Sequence, residues 1–488
     1  MSSESPAPMG VVPSFRYAFS SPARLRMEVF GGLAVALALI PEVLSFSILA
    51  GLDPRVGLFA SVIMTISIAF TGGRPAMVSA AAGSVAVVIA PLAKSHGLDY
   101  VLATIWLAGA LQIVLAVLGV ARLMRFIPRS VMTGFVNALG ILMFTAQLPH
   151  LRGWQVFALV AFGLVVMLGW PHVTTVVPAP LITILVVTVA AVALGWDVPD
   201  VADQGKLPDT LPGFVVPHVP YTVDTLRLIA PYAVGVALVG LIESLLTAKL
   251  VDDITDSHSD KTRESVGQGI GNLLAAAIGG MGVCAMIGQT MINVKEARAR
   301  TRLSTLLAGV FLLILIVILG ETVGRIPMAA LVAVMLVVSA TTIDWRSLRM
   351  LPRMPLSESI VMVVTVAGTL ATNNLAVGVA AGVLTAMVAF ARRVAHVVSV
   401  ELVDGVYYVR GQLFFASSND LVYAFDYNLP GETVVIDFTD AQLWDASTVA
   451  TLDAVRAKYA ARSVVVEVRG LDPVSRARYE RLSGRLGE

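Results

Sequence analysis

Fourteen apolar segments most constrain what this chain can fold into. A helix that crosses a bilayer needs about 20 predominantly apolar residues, or fewer where other helices bury it. The segments form two series of seven, separated by a stretch rich in Pro, Gly and Asp: 29–50, 55–71, 81–93, 100–119, 129–147, 154–170 and 178–196, then 226–248, 264–280, 286–296, 303–321, 327–343, 358–372 and 374–391. Only 14% of the residues are charged, against about a quarter in a typical soluble chain. We therefore predict an α-helical membrane protein.

The distribution of Lys and Arg predicts its orientation, because cytoplasmic loops carry an excess of basic residues. With a cytoplasmic N-terminus, the loops on the opposite side hold only Arg55, Lys94, Arg152, Lys206 and Arg325. We therefore predict fourteen transmembrane segments in the cell inner (plasma) membrane, with both termini in the cytoplasm. The first segment has no clear cleavage site, which indicates a retained helix and not a signal peptide. Since each series has an odd number of crossings, the two series must form an inverted repeat, as in many secondary transporters.

The composition changes after Arg393. Segments 397–403 and 406–415 are typical of strands, and Asp404-Gly405 between them favours a hairpin. A strand at 434–438, a helix at 447–461, a strand at 464–468 and a helix near 473–485 follow, and this alternation predicts a small α/β domain. The predicted domains are a cytoplasmic N-terminal segment (1–27), transmembrane repeat 1 (28–196), a linker (197–224), transmembrane repeat 2 (225–393) and the α/β domain (394–488).

Two segments are interrupted in matching places of the two series. Gly279 to Asn293 contains four glycines and ends in polar side chains, and Gly72 to Ser84 also opens with Gly-Gly before an apolar helix. Irregular backbone at membrane depth is tolerated only where it lines a protein cavity. Paired interruptions therefore indicate a transporter's binding site. The alternative is two ordinary loops between helices.

The helices that follow these interruptions begin near Ala81 to Ser84 and near Met286 to Gln289. Helix N-termini present unpaired N–H groups and about half a positive charge, so that two facing ones can bind an anion without a basic side chain. We expect Ser84, Gln289 and Thr290 to be side-chain donors. The predicted substrate-binding residues are Ala81, Gly83, Ser84, Met286, Ile287, Gly288, Gln289 and Thr290.

Two carboxylates lie inside predicted spans, Glu42 directly after Pro41 in the first and Glu243 in the eighth. A carboxylate in a membrane span is costly and by default indicates a functional site. Burial disfavours its charged form and so favours proton binding. We therefore predict proton coupling at Glu42 and Glu243. The alternative for each is a protonated carboxyl in a structural hydrogen bond.

Other classes of function find no support in the sequence. The single cysteine, Cys284, excludes an internal disulfide and a cysteine-built metal site. The histidines show no ligand spacing, so we expect no metal and no other cofactor. A nucleotide-binding glycine loop is missing from the sequence, which argues against ATP-driven pumping. Since no catalytic constellation can be assembled, we expect neither an enzyme nor a nucleic-acid partner.

Four stretches carry motifs of a known family. They are Leu33 to Ala60 with Ile40-Pro41-Glu42 and Ala50-Gly51-Leu52-Asp53-Pro54, Ile127 to Phe135 followed by Gln147-Leu148, Leu241 to Leu246, and Asp445-Ala446-Ser447. The first three resemble the opening motif, the fifth helix and the eighth helix of the sulfate permease (SulP) anion transporters. The C-terminal domain is similar to the STAS domain, which these transporters share with bacterial anti-sigma-factor antagonists.

The resemblance implies a 7+7 inverted repeat that forms a core domain and a gate domain. Substrate would bind where the third and tenth helices point their N-termini at each other, between the first and eighth. Family members usually form homodimers and move anions by an elevator-like shift of the core. Ser447 falls where the antagonist proteins are phosphorylated, although we expect it to be a helix N-cap next to Asp445.

This chain departs from the family pattern at two positions. Many animal members have arginine where Gln289 stands, so a carboxylate, which can use backbone and amide donors, fits better than a small halide-like anion. The family more often has glutamine where Glu42 stands, and a titratable group there favours proton coupling.

We therefore predict a secondary active transporter, a proton-coupled symporter of a (di)carboxylate such as fumarate or succinate. The alternatives are a sodium-coupled bicarbonate transporter and a proton-coupled sulfate transporter. A nucleobase permease would share the fold but lack the C-terminal domain. A rival from another class is a membrane sensor that signals through its STAS domain to a cytoplasmic partner. The predicted partners are a small anion, protons, the lipid bilayer and a second copy of the chain.

Overall fold

The computed structural model describes residues 8–119, 128–173, 179–204, 213–372, 374–395, 398–415, 421–428 and 432–485. Some predicted features lie partly outside these residues, among them Ile127 of the fifth-helix motif, Val397 of the first predicted strand and residues 205–212 of the linker.

Each of the fourteen predicted segments contains a helix in the structure. The first series consists of α2 (Pro22–Leu49), α3 (Pro54–Thr71), α4 (Gly83–His96), α5 (Leu98–Val117), α6 (Arg129–Gln147), α7 (Trp154–Val173) and α8 (Ala179–Ala193). The second consists of α9 (Val223–Thr255), α10 (Lys261–Ala277), α11 (Ile287–Met291), α12 (Arg302–Gly324), α13 (Met328–Thr342), α15 (Leu356–Thr372) and α16 (Leu375–Ala395). Two short helices were not predicted, α1 (Val11–Ala18) and α14 (Trp345–Met350). The predicted fold of two series of seven helical segments is confirmed.

Not every helix in the two series is apolar along its whole length. Among the described helices, α2, α3, α5, α6, α7 and α9 are each long and apolar enough to cross a membrane alone. By contrast, α10 carries the buried polar side chains Glu264, Gln268 and Asn272. It packs against α3, α5 and α9, so its polar side chains meet protein and not lipid.

Helix contacts divide the membrane part into two clusters. The core cluster contains α2, α3, α4, α5, α9, α10, α11 and α12, and the gate cluster contains α6, α7, α8, α13 and α15. Close packing inside the core cluster depends on small residues: a β-carbon on Gly109 of α5 would lie 2.8 Å from the carbonyl oxygen of Gly269 in α10. The clusters touch where α2 meets α8 and α13 and where α4 meets α6. The first four helices of each series thus fall in the core cluster.

The C-terminal unit has its own sheet and its own hydrophobic core. Its strands are β3 (Ser399–Val403), β4 (Val406–Leu413), β5 (Thr433–Leu443) and β6 (Val465–Arg469), and its helices are α17 (Ala446–Ala460) and α18 (Pro473–Leu482). β3 and β4 are antiparallel, whereas β4–β5 and β5–β6 are parallel. Asp404 and Gly405 both have positive φ, as a tight hairpin turn requires. The predicted α/β domain is confirmed.

The expected capping role of Ser447 is wrong. The N-cap of α17 is Asp445, whose carboxylate accepts hydrogen bonds from the Thr448 N–H at 3.0 Å and from the Phe415 N–H at 2.6 Å. Ser447 is exposed at the second position of the helix. A carboxylate at the cap accepts from two separate backbone donors at once, so the serine is not needed there.

Candidate functional site

The two interrupted segments meet in a buried two-stranded ladder. β1 (Ser79–Ala81) pairs antiparallel with β2 (Val283–Ala285), and every residue of both strands is buried. α4 begins at Gly83 just after β1, and α11 begins at Ile287 just after β2. Because the strands are antiparallel, the two helices leave the ladder in opposite directions, and each has its N-terminus at the ladder.

Side chains of three helices complete the hydrogen bonding of this ladder. The bonds join Ser61 to Ala81 (3.0 Å), Thr65 to Ser79 (2.8 Å), Ser244 to Ala285 (3.1 Å) and Asn272 to both backbone groups of Val283 (2.9 and 3.0 Å). A two-stranded sheet inside a membrane would otherwise leave backbone groups without partners. The polar residues of α3, α9 and α10 therefore hold the ladder in place.

The Gly-Gly pairs that precede the strands bring the two repeats together. A β-carbon on Gly73 would collide with the carbonyl oxygen of Asp260, just before α10. A β-carbon on Gly280 would lie 2.8 Å from the β-carbon of Ala60 in α3. Each interrupted segment thus packs against the second helix of the other series, as expected for an inverted repeat.

At the start of α4, two side chains donate to one carboxylate oxygen. The Ser84 hydroxyl donates to Oε2 of Glu243, and the Cys284 thiol donates to the same oxygen at 3.1 Å. Gly83 lies against the ring of Phe46, whose Cε1 would be 2.8 Å from an added β-carbon. The first turn of α4 therefore lies between α9, which carries Glu243, and α2, which carries Phe46.

At the start of α11, the backbone is open and one amide has no partner. Ile287 and Gly288 are exposed, and a β-carbon on Gly288 would meet no atom within 4 Å. Gln289 is 1% exposed, yet neither its Nε2 nor its Oε1 has a hydrogen-bond partner among the described residues. Buried amides are normally paired, so this side chain has free hydrogen-bonding capacity in the site.

Thr290 has a structural role in the described structure. Its hydroxyl accepts from the Val78 N–H at 3.0 Å, and the Met286 N–H donates to the Val78 carbonyl at 2.9 Å. These bonds extend the pairing of the two interrupted segments by one residue beyond β1. The Thr290 hydroxyl, which we expected to bind substrate, is therefore hydrogen-bonded to the backbone of Val78.

Both intramembrane carboxylates face this region. Glu42 and Glu243 are partly exposed, although their neighbours along each helix are buried. The Gln289 amide lies close enough to the Glu42 carboxyl to act on it as a weak hydrogen-bond partner, although the two groups do not reach full hydrogen-bonding geometry. Each carboxylate therefore lies beside buried side chains of the site, Glu42 beside Gln289 and Glu243 beside Ser84 and Cys284.

The structure brings most of the predicted residues to the ladder, with differences in detail. Ala81 belongs to β1, so it lies outside the predicted helix start, and Met286 is the N-cap of α11. Gly83, Ser84, Ile287, Gly288 and Gln289 lie within the first turns of α4 and α11. The tenth segment is irregular, because α11 continues directly as a π-helical turn at Ile292–Glu296.

Two residues of the site were missed in the sequence. Phe46 lies four residues after Glu42 and therefore on the same face of α2, a spacing that could have identified it. Cys284 was noted within the interrupted segment, but its bond to Glu243 joins positions 41 residues apart and has no local sequence signal.

Comparison with known proteins identifies the family to which this chain belongs. The model of the sulfate permease family matches residues 25–159 and 154–365, and that of the STAS domain matches residues 396–483. The chain is 49% identical over 459 residues to YbaR of Bacillus subtilis (strain 168), whose name describes it provisionally as a sulfate transporter, and the match covers 93% of this chain and 96% of YbaR.

Two solved structures share the fold. One is the transmembrane domain of the bicarbonate transporter BicA from a cyanobacterium, with a TM-score of 0.65 and 23% identity over 74% of this chain and 97% of that one. The other is the murine anion transporter Slc26a9 in the inward-facing state, with a TM-score of 0.82 and 16% identity over 97% of this chain and 90% of that one. Because the family model covers well over half of the chain and is followed by the STAS match, this protein belongs to the sulfate permease family, multi-pass membrane transporters of anions.

Proposed function

We propose that this protein is a proton-coupled symporter of a small dicarboxylate such as fumarate or succinate. It works in the cell inner membrane with both termini in the cytoplasm. The anion binds between the starts of α4 and α11, and the core cluster carries it past the gate cluster in an elevator-like movement. A homodimer is the proposed assembly.

The unpaired Gln289 amide beside Glu42 is the observation that carries this proposal. A buried amide without partners costs about 1–3 kcal/mol for each unpaired group, a cost that a ligand able to pair with it would relieve. The Nε2 group suits a carboxylate oxygen. The neighbouring Glu42 repels an anion when charged and accepts it when protonated, which links anion binding to proton binding.

The available positive charge comes from backbone and not from side chains. Neither interrupted segment contains Lys or Arg between Pro75 and Ala93 or between Glu264 and Val294. The first turns of α4 and α11 supply N–H groups that have no intrahelical acceptor. Such donors suit a flat carboxylate, whose oxygens each accept more than one hydrogen bond.

Proton coupling also answers an energetic problem. Moving one negative charge into an inside-negative cell costs about 2.3 kcal/mol per 100 mV. Each proton that travels with the anion cancels one charge. Glu42 is the proposed carrier, whereas Glu243 accepts from Ser84 and Cys284 and helps to shape the site in either protonation state.

A sulfate or bicarbonate substrate is the second candidate. The 49% identity to YbaR favours sulfate, and the fold shared with BicA favours bicarbonate. Bicarbonate uptake that depends on sodium and not on pH would support a sodium-coupled carrier. If the purified protein transports no anion, the membrane sensor becomes the better interpretation.

The test is uptake of labelled succinate, fumarate, sulfate and bicarbonate into proteoliposomes, with and without an inward proton gradient. We expect the gradient to accelerate dicarboxylate uptake by the wild-type protein and Glu42→Gln to abolish that acceleration. Glu296→Gln is the matched control, because Glu296 is exposed in the π turn that follows α11. Wild-type uptake that ignores the gradient, or a Glu42→Gln variant that still responds to it, would overturn the proposal.

A further inference from the structure

The core cluster contains a further unpaired polar atom, one helical turn beyond Gln289. Asn293 is fully buried in the π turn, and its Oδ1 has no hydrogen-bond partner among the described residues. Its Nδ2 donates to the carbonyl of Ala76 at 2.8 Å and to Ser304 Oγ at 2.9 Å. Since Gln289 and Asn293 are four residues apart, they project from nearly the same face of this helical segment.

That face is turned toward α2. A β-carbon on Gly31 would lie 2.5 Å from Asn293 Oδ1, so the glycine leaves room for the amide. Eleven residues further along α2, Glu42 lies beside Gln289. The two helical segments therefore run antiparallel, with Glu42 at the Gln289 end and Gly31 at the Asn293 end.

The spacing of these residues along the two helices is consistent with a short column of polar side chains that are only partly hydrogen-bonded to each other. Gly31 and Glu42 are about 16 Å apart along α2, and Gln289 and Asn293 are about 6 Å apart along their own segment. Side chains lean toward the N-terminus of their helix, so Glu42 and Gln289 lean toward each other. The gap of about one turn between the two amides is one that one or two bridging waters can span.

A buried carboxylate ends the column at the N-terminal part of α2. Oε1 of Glu28 accepts from the backbone N–H groups of Arg300 and Thr301 at 2.8 and 3.0 Å, and its Oε2 accepts from that of Ser304 at 3.2 Å. A carboxylate oxygen can accept two hydrogen bonds, so Oε2 has capacity for a proton. The Ser304 hydroxyl accepts from Asn293 Nδ2 and donates to the Thr301 carbonyl at 3.1 Å, and it is the backbone N–H of Ser304 that donates to Glu28. Ser304 therefore lies between the amide and this carboxylate.

We propose that this column, from Glu42 past Gln289, Asn293 and Ser304 to Glu28, is a proton path separate from the route of the anion. It rests on the proposed function, since it adds a route for the proton that Glu42 carries. A proton leaves the Glu42 carboxyl for a bridging water, and successive hops along waters held by the two amides bring it to Glu28 Oε2. The amides orient the waters and are not themselves protonated. Glu28 then releases the proton to the cytoplasm in the proposed orientation.

The path allows the proton to be released before the anion. With an anion bound, the open side of Glu42 is occupied, but the column stays available. Loss of the proton then restores a negative charge beside the anion and drives the anion out. Exchange of one anion for another needs no release of the proton, whereas net symport does.

The test compares two rates in proteoliposomes of the full chain: net succinate uptake driven by a proton gradient, and succinate–succinate exchange at equal pH. Gly31→Ala crowds Asn293 Oδ1, and Ser304→Ala removes the hydroxyl. We expect each to slow net uptake by about tenfold or more, which corresponds to about 1.4 kcal/mol in the barrier, with exchange within about twofold of wild type.

Gly32→Ala is the matched control, because its β-carbon would crowd Leu307 and the Ser304 carbonyl instead of the amide. We expect it to change both rates by the same factor. Equal loss of uptake and exchange in Gly31→Ala and Ser304→Ala would show a purely structural role and overturn the path. If the wild-type protein itself ignores the proton gradient, the proposed symport fails, an outcome distinct from failure of the path.

Discussion

At the scale of single residues, two buried side-chain amides of the second repeat differ in their hydrogen bonding, and this difference distinguishes a structural residue from a functional one. Asn272 donates to and accepts from Val283 and also donates to Gln112 Oε1 at 2.9 Å. Gln289 has no partner for either amide atom within the described residues. A fully paired buried amide stabilises the fold, whereas an unpaired one is costly and is retained where a ligand uses it.

Gln289→Leu should therefore weaken binding without weakening the fold. Loss of a hydrogen bond to a charged ligand costs about 1.5–3 kcal/mol, or roughly a 10- to 100-fold higher KM for succinate. The unfolding temperature should stay unchanged or rise, because two unpaired buried groups are removed. Uptake kinetics and thermal unfolding in detergent measure both. An unchanged KM would show that the amide does not touch the substrate.

At this scale the sequence predicted the acidic residues but not their partners. Glu42 and Glu243 were identifiable because carboxylates are rare and costly in membrane spans. The bond between Ser84 and Glu243 joins positions 159 residues apart, and no local pattern encodes such a pair. Likewise, nothing in the sequence could show that Thr290 would bond to Val78 while Gln289 stayed free.

At the scale of elements, the ladder of β1 and β2 depends on helices that were predicted as ordinary spans. Asn272→Leu would leave the N–H and C=O of Val283 without partners. We expect a loss of about 2–5 kcal/mol of stability and a lower unfolding temperature, in contrast to Gln289→Leu. Thermal unfolding of the two variants, measured side by side, checks this contrast. Equal stability of both would mean that water replaces the asparagine.

Strand β5 allows a prediction on pH. The Asp437 carboxylate accepts from Thr439, which is the largest cause of its lowered pKa, and it also accepts from Arg469 Nε at 2.9 Å. A lowered pKa in the folded state means that the carboxylate stabilises the domain above the unfolded pKa. That stabilisation is lost as the pH falls through the folded pKa.

Asp437→Asn should therefore reduce the resistance of the STAS domain to pepsin at pH 5, and the difference from wild type should vanish at the lowest pH. Cleavage within residues 398–485 of the full chain, read by mass spectrometry, measures it. Asp440→Asn serves as control, since Asp440 is an exposed carboxylate on the same strand. A difference that persists unchanged at pH 2 would rule out the titration of Asp437 as the cause.

Regular elements followed from the sequence, and irregular ones did not. Length and apolarity placed the fourteen helical segments, and the interruption at Gly279 predicted an extended stretch before α11. The π turn at Ile292–Glu296 could not be predicted, because it depends on contacts such as the bond from Asn293 to Ala76. The prediction of 264–280 covers most of α10 although this helix also carries buried polar side chains.

On the scale of the whole molecule, the two repeats complete each other. Gly73 of the first repeat packs against the segment before α10 of the second, and Gly280 of the second packs against α3 of the first. The same division into four core helices and a remainder occurs in both series. The odd number of helices made the inversion predictable, whereas the grouping into clusters came from the resemblance to the family.

The inverted repeat predicts that equivalent loops of the two repeats face opposite sides of the membrane. The loop between α2 and α3 and the loop between α9 and α10 occupy the same place in the two repeats. In an inverted repeat they must lie on opposite sides. Asp53→Cys lies in the first loop, where the Asp53 side chain is 37% exposed and makes no capping bond. His258→Cys lies in the second loop, at an exposed position.

We expect a membrane-impermeant maleimide added to intact cells to label Asp53→Cys, and to label His258→Cys only after the membrane is opened. The native Cys284 is fully buried, so the background should be low, and Cys284→Ser removes what remains. Labelling of both positions from the same side would contradict the inversion. Labelling with the two sides exchanged would keep the inversion but reverse the proposed orientation, and it would place the Glu28 end of the proton path outside the cell.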